Sequence, residues 1–316
     1  MGLHRSIDSM PASESLRKLL GRSIDYAGMF PPCGLPLAAS LKNQAVYVRS
    51  AEDWMLGNFV LPIAQFEAAS NHVAQFDQVH PLRISALGPK TETANEFIAA
   101  LHETAKAIRS FAGKHGDRAS VTQLEMALPR RSDLALLEEA RTIVEALETQ
   151  TFWEAAVDAA EETIVLLAEQ NRKTKARAFG YKLRTGGVTA DAFPAATQIA
   201  RALVTAARGK VPIKFTAGLH HPIRQFRDEV KTKMHGFLNV LGAGVLTAAH
   251  SWNEQRTAEM LEDENPDSFS FDDAAFAWRA WSISRAQIEQ SRKLVTSFGS
   301  CSFDEPREDL RALKLL

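Results

Sequence analysis

The chain has 316 residues, 45% of them hydrophobic and 24% charged, with a formal net charge of −1. This is an ordinary globular composition, enough for one large domain or two smaller ones, and without a basic stripe interleaved with aromatics a nucleic-acid partner is not expected. The apolar runs are too short to span a bilayer, MGLHRSIDSM lacks the apolar core of a secretory signal, and Cys33 and Cys301 have no metal-type spacing, so the expectation is a cytoplasmic protein with free thiols and no membrane association.

Short apolar runs alternate with longer amphipathic segments along the chain. The first strand is read at SIDYAGMF (23–30), where Asp25 and Tyr26 are candidate substrate contacts or parts of a capped loop. NFVLPIAQF (58–66) and LRISALG (82–88) follow, then the helical spacing of ETANEFIAALHETAKAIRSFA. SVTQLEMAL (120–128) is the fourth strand, RSDLALLEEARTIVEAL a helix, and TFWEAAV (151–157) the fifth strand. AFGYKLR (178–184) is the sixth, followed by a helix from Thr197 to Arg208 that stops at RGK. VPIKFTA (211–217) and GFLNVLG (236–242) are read as the seventh and eighth strands. Beyond Ala249 the alternation stops: two helices within 253–297 are split by ENPDS, and SFGSCSFDEP leads to a short terminal helix, REDLRALKLL.

Eight strands alternating with helices at intervals of roughly 25–35 residues predict an α/β fold, a (β/α)8 TIM barrel of about 250 residues. Its predicted span is 1–250, with 251–316 a helical extension packed on the barrel and SFGSCSFDEP covering one opening. The competitor, a doubly wound sheet, usually carries a glycine-rich turn after its first strand. Here AGMFPPCG puts prolines in that place.

Strand side chains alternate between faces. Lys182 and Arg184 therefore share one face of the sixth strand, Lys214 and Thr216 one face of the seventh, Gln123 and Glu125 one face of the fourth, and Glu154 lies with Phe152 on the fifth. The opposite faces are apolar and must meet the helices, so the polar set is expected in the lumen, converging on the C-terminal mouth where barrel enzymes keep their sites. Such groups are costly to bury unpaired. A salt-bridge network that only fixes the barrel is the structural alternative, and Arg184 at its strand end could be solvated.

This arrangement resembles the class I aldolases of the deoxyribose-phosphate aldolase type. The resemblance rests on Lys182-Leu-Arg-Thr185-Gly186 on the sixth strand, Lys214-Phe-Thr-Ala217-Gly218 on the seventh and Leu124-Glu125-Met126-Ala127 on the fourth. It implies that Lys182 forms an iminium, that Lys214 holds Lys182 deprotonated, and that Glu125 shuttles protons. This chain departs from that family in having a glutamate for the shorter acid, Ala217 for the first glycine of the phosphate-binding pair, and no serine in NVLGAG. An unphosphorylated oxo acid or sugar acid is therefore open as substrate.

The chemistry also follows from the residues alone. A lysine attacks a carbonyl only as the free amine, and desolvation with neighbouring cations favours that form. Glu125 would then move the proton, with Glu154 as the alternative. Substrate contacts are expected from Arg184, Thr185, Gly186, Gly187, Thr216, Glu154, His220 and Asn239, the last on the eighth strand. TGG (185–187) is read either as an anion-holding helix start or as a tight turn. His235 reads as structural, and Cys301 as a nucleophile lacks an evident base. This reading, a carbon–carbon lyase acting on a small molecule, calls for no cofactor and no metal, and leaves a homo-oligomer open. Two other readings stand beside it: a metal-dependent isomerase or hydrolase using Glu125, Glu154 and His220, and a non-catalytic barrel serving as a binding protein.

Overall fold

The computed structural model describes residues 12–316; the stretch MGLHRSIDSM lies outside the described residues. Eight parallel strands close into a barrel: β1 (Ile24–Tyr26), β2 (Leu56–Pro62), β3 (Leu82–Leu87), β4 (Ala119–Ala127), β5 (Gln150–Glu154), β6 (Gly180–Arg184), β7 (Ile213–Thr216) and β8 (Val295–Ser300). Neighbours in sequence are neighbours in the wall, and β8 closes the ring between β7 and β1. The fold is a (β/α)8 TIM barrel.

Each crossover helix forms because its apolar residues recur at helical spacing and its ends are capped. The helix Ala94–His115 shows both. Thr93 and Glu96 make a reciprocal capping box, and Phe97, Leu101, Ile108 and Phe111 form the buried stripe. Phe97 packs on Trp153 of β5 at 5.4 Å between ring centroids, and Trp153 meets Phe179 edge-on at 5.3 Å. The outward faces of the strands supply the rest of this layer, among them Leu124, Met126, Tyr181, Leu183, Ile213 and Phe215. Tyr26 also faces outward, against Tyr47 and Asn43 of the helix Leu37–Tyr47, and so is no substrate contact.

The eighth strand is not where the sequence reading puts it. Residues 237–250 form one buried helix, Phe237–His250, and β8 comes instead from 295–300, where the stretch read as helical (253–297) meets the segment read as covering one barrel opening. Periodicity cannot separate a fully apolar strand from a fully buried helix, and only length arbitrates. The apolar run continues without a turn signal to His250, too long for a strand. β8 was hidden by its own composition: Ser297 points into a polar lumen, while Phe298 faces out and stacks on Phe237 at 5.2 Å. The division into a barrel of 1–250 and an extension of 251–316 therefore does not follow the wall, since the last barrel strand lies inside the second segment.

Residues 217–294, between β7 and β8, form an elaborated crossover. It holds a hairpin (Gln225–Arg227 with Thr232–Met234), the helices Phe237–His250 and Glu254–Leu261, a three-stranded antiparallel sheet over 269–284, and the helix Arg285–Ser291. A final helix, Asp304–Ala312, follows β8. Among the described residues no helix is long and apolar enough to cross a membrane.

Candidate active site

Strand register brings the charged residues together. Glu154, Lys182 and Lys214 are lateral partners on β5, β6 and β7, and all three turn into the lumen, as the alternation requires. The Nζ of Lys182 lies 2.8 Å from Glu125 Oε2 and 2.9 Å from Glu154 Oε2. The Nζ of Lys214 contacts the other oxygen of Glu125, and lies 2.7 Å from Asp25 Oδ2 and 2.6 Å from Gln123 Oε1. One carboxylate thus bridges two buried ammonium groups. Ser85 Oγ donates to Glu125 Oε1 at 2.5 Å, which fixes the bridging carboxylate from a third strand.

Asp25, read from the sequence as a substrate contact or a loop residue, is neither. It is fully buried, and Ser297 Oγ donates to its Oδ2 at 2.7 Å, while the backbone N–H of Asn58 donates to Oδ1 at 2.6 Å. Its part is to anchor Lys214. Below it Arg292 closes the bottom of the barrel by donating to the carbonyls of Val295, Thr296 and, at 3.0 Å, Gly21. Burial pulls the Arg292 guanidinium down to about 10.

The charges around Lys182 are the opposite of those expected from the sequence. Cation crowding was to strip Lys182 of its proton, but its nearest charges are carboxylates. Burial alone would lower its pKa; Glu125 and Glu154 outweigh burial, and the net shift is upward. Lys182 rests as an ammonium. Burial would raise Glu125, yet the two lysines hold it far below the usual carboxylate range. Such a group is a weak base, which speaks against the proton-shuttling place expected for Glu125. Glu154 is in part open to solvent, and it lines a second hollow of about 430 Å³ together with Lys90, Arg130 and Arg184.

Lys182, Lys214 and Glu125 floor a cavity of about 430 Å³ at the C-terminal mouth. Its walls are largely apolar, with Ala27, Phe30, Val60, Leu87 and Val188 prominent. Of the expected substrate contacts, Arg184, Gly187, Thr216 and His220 line this space. Arg184 is exposed at the rim, with its Nε 3.7 Å from Glu154. His220 also accepts a structural task, its Nδ1 lying 2.9 Å from Glu305 Oε2 on the final helix.

Three expected contacts fall away. Thr185 is fully buried and donates its hydroxyl to the carbonyl of Ala217 at 2.7 Å. Gly186 is a packing glycine: a Cβ built on it would lie 2.8 Å from the Cα of Gly218. Asn239, expected on a strand, sits on the helix Phe237–His250 and donates to the carbonyls of Met260 and Asp263, both at 2.8 Å. His235 is structural, as read. It is buried against Pro194 O at 2.8 Å, and burial lowers its imidazolium to about 4.

The proposed metal set does not converge. Glu125 and Glu154 both face Lys182, whereas His220 faces Glu305. Among the described residues no group of three or more His, Cys, Asp or Glu side chains is placed to hold a metal ion. Family models and curated proteins yield no match to this chain.

Proposed function

We propose that the chain is a Schiff-base-forming carbon–carbon lyase of the aldolase kind, acting on a small oxo compound such as an aldehyde, a sugar acid or a 2-oxo acid. The observation that carries this reading is Lys182 at the cavity floor, within hydrogen-bond reach of both Glu125 and Glu154. A buried pair that served only stability would be matched or bettered by apolar packing of the same volume. Here the charges face an open, apolar-walled space at the end of the barrel where catalysis in this fold is sited.

The reaction begins with proton transfer from the Lys182 ammonium along the 2.9 Å contact to Glu154. The freed amine attacks the substrate carbonyl and gives a carbinolamine. Glu154 returns the proton to the departing hydroxyl and water leaves. As the C–C bond breaks its electron pair passes to the iminium, and the β-hydroxyl gives its proton to Glu154. A carbonyl product and an enamine on Lys182 result, with condensation the reverse. Glu125 stays ionised and stabilises the cationic iminium across the site. Lys214, held by Asp25, Gln123 and Glu125, positions that carboxylate and does not itself attack.

Borohydride reduction in the presence of a panel of aldehydes and 2-oxo acids tests the reading. The expected outcome is a stable mass gain on the peptide containing Lys182, absent from Lys182→Ala. No adduct with any member of the panel, or adducts spread over surface lysines and unchanged in the variant, would remove the imine chemistry.

A further inference from the structure

Cys33 and Cys301 are separated by nearly the whole chain, yet their sulfurs lie 2.7 Å apart. The closure of the barrel brings them together. β1 and β8 are neighbours, the N–H of Ala27 donates to the carbonyl of Ser300 at 2.7 Å, and each strand then delivers a cysteine to the same mouth. The loop after β1 is held by its own backbone: the N–H of Gly34 donates to Phe30 O at 3.0 Å and that of Leu35 to Gly28 O at 2.9 Å. Cys33 is exposed, whereas Cys301 is buried and lines the cavity floored by Lys182.

We propose that Cys33 and Cys301 form a dithiol modification site at the mouth of the cavity, which reacts with low-molecular-weight disulfides to form one intramolecular disulfide. The order of attack follows from access. The exposed Cys33 thiolate attacks one sulfur of the small disulfide, whose S–S bond breaks and releases one thiolate. The Cys301 thiolate then attacks the Cys33 sulfur of the mixed disulfide, and the second small thiolate leaves. The two protein thiols lose two electrons and two protons, and the small disulfide gains them as two thiols.

The reverse order is disfavoured. Burial first, and the hydrogen bond and charge of Cys33 second, push the Cys301 thiol up to about 12. Once Cys33 is in a mixed disulfide its share of that shift is gone, and the adjacent sulfur is already placed for attack. The product joins the wall carrying Phe30, Pro31 and Pro32 to the end of β8. This site is independent of the imine chemistry.

The test is oxidised glutathione added to the reduced full chain, followed by intact mass and non-reducing peptide mapping. The expected product is a monomer that has lost two hydrogens, with the peptides containing Cys33 and Cys301 joined. Cys301→Ser should stop at a stable glutathione adduct on Cys33. Cys33→Ser should react at least tenfold more slowly than wild type. A wild-type chain that keeps a glutathione on Cys33, carries one on each cysteine, or cross-links into dimers would overturn the proposal, and that result needs no variant to fold.

Discussion

At the scale of single residues, the site is governed by one carboxylate shared between two ammonium groups. Glu125→Gln leaves both lysines with less compensation in a buried setting, at a cost of about 3–5 kcal/mol near neutral pH. The pH dependence has a definite sign. Glu125 in the folded chain is held well below its ordinary value of 4.5, so its contribution is present above that value and lost as pH falls below it. The difference in urea unfolding free energy between wild type and Glu125→Gln should therefore shrink below pH 4.5, by about 1.4 kcal/mol per pH unit. A difference that stays constant down to pH 3 would mean that the carboxylate is not held by the lysines. Glu154 is the second carboxylate on Lys182. With the neutral amide of Glu154→Gln, the Lys182 proton has no acceptor open to solvent, and borohydride trapping should slow about 100-fold or more, with the fold retained by circular dichroism.

At the scale of elements, the loops after β6 and β7 interlock. Gly218 has a φ of +75° and a Cβ built there would lie 2.8 Å from the Cα of Gly186, while Thr185 donates to Ala217 O. Gly218→Ala meets both a left-handed backbone and a backbone neighbour that cannot rotate away, and should lower stability by about 1–3 kcal/mol in chemical denaturation. This pairing explains why residues chosen from the sequence as substrate contacts turned out to be packing residues. A glycine needed for a ligand and a glycine needed for a close backbone approach look alike in one dimension. The final helix is tied to the β7 loop in a comparable way, by His220 to Glu305 and by His221 Nδ1 to Asp309 Oδ2 at 2.6 Å.

At the scale of the whole molecule, β8 decides what is a cooperative unit. Without it β1 and β7 would both present open edges, Asp25 would lose Ser297, and Arg292 could no longer close the bottom of the lumen. A chain ending at His250 should show no cooperative thermal transition and should be cleaved by protease at least tenfold faster than the full chain. A stable, cooperatively folding product of that length would show that the wall can close without β8. The same closure places Cys33 beside Cys301, so the barrel's first and last strands jointly frame the cavity.

The sequence by itself determined the barrel, seven of its strands, and the luminal placement of Glu125, Glu154, Lys182 and Lys214. Those follow from local alternation, because a strand that is apolar on one face must turn that face to the helices. Only the tertiary structure decided which strand closes the ring, that Asp25 reaches Lys214, and which sign of charge surrounds Lys182. Parity assigns a side chain to a face but carries no distance across the lumen. A lysine's proton affinity depends on its neighbours a few ångströms away, and those come from strands far apart in the chain.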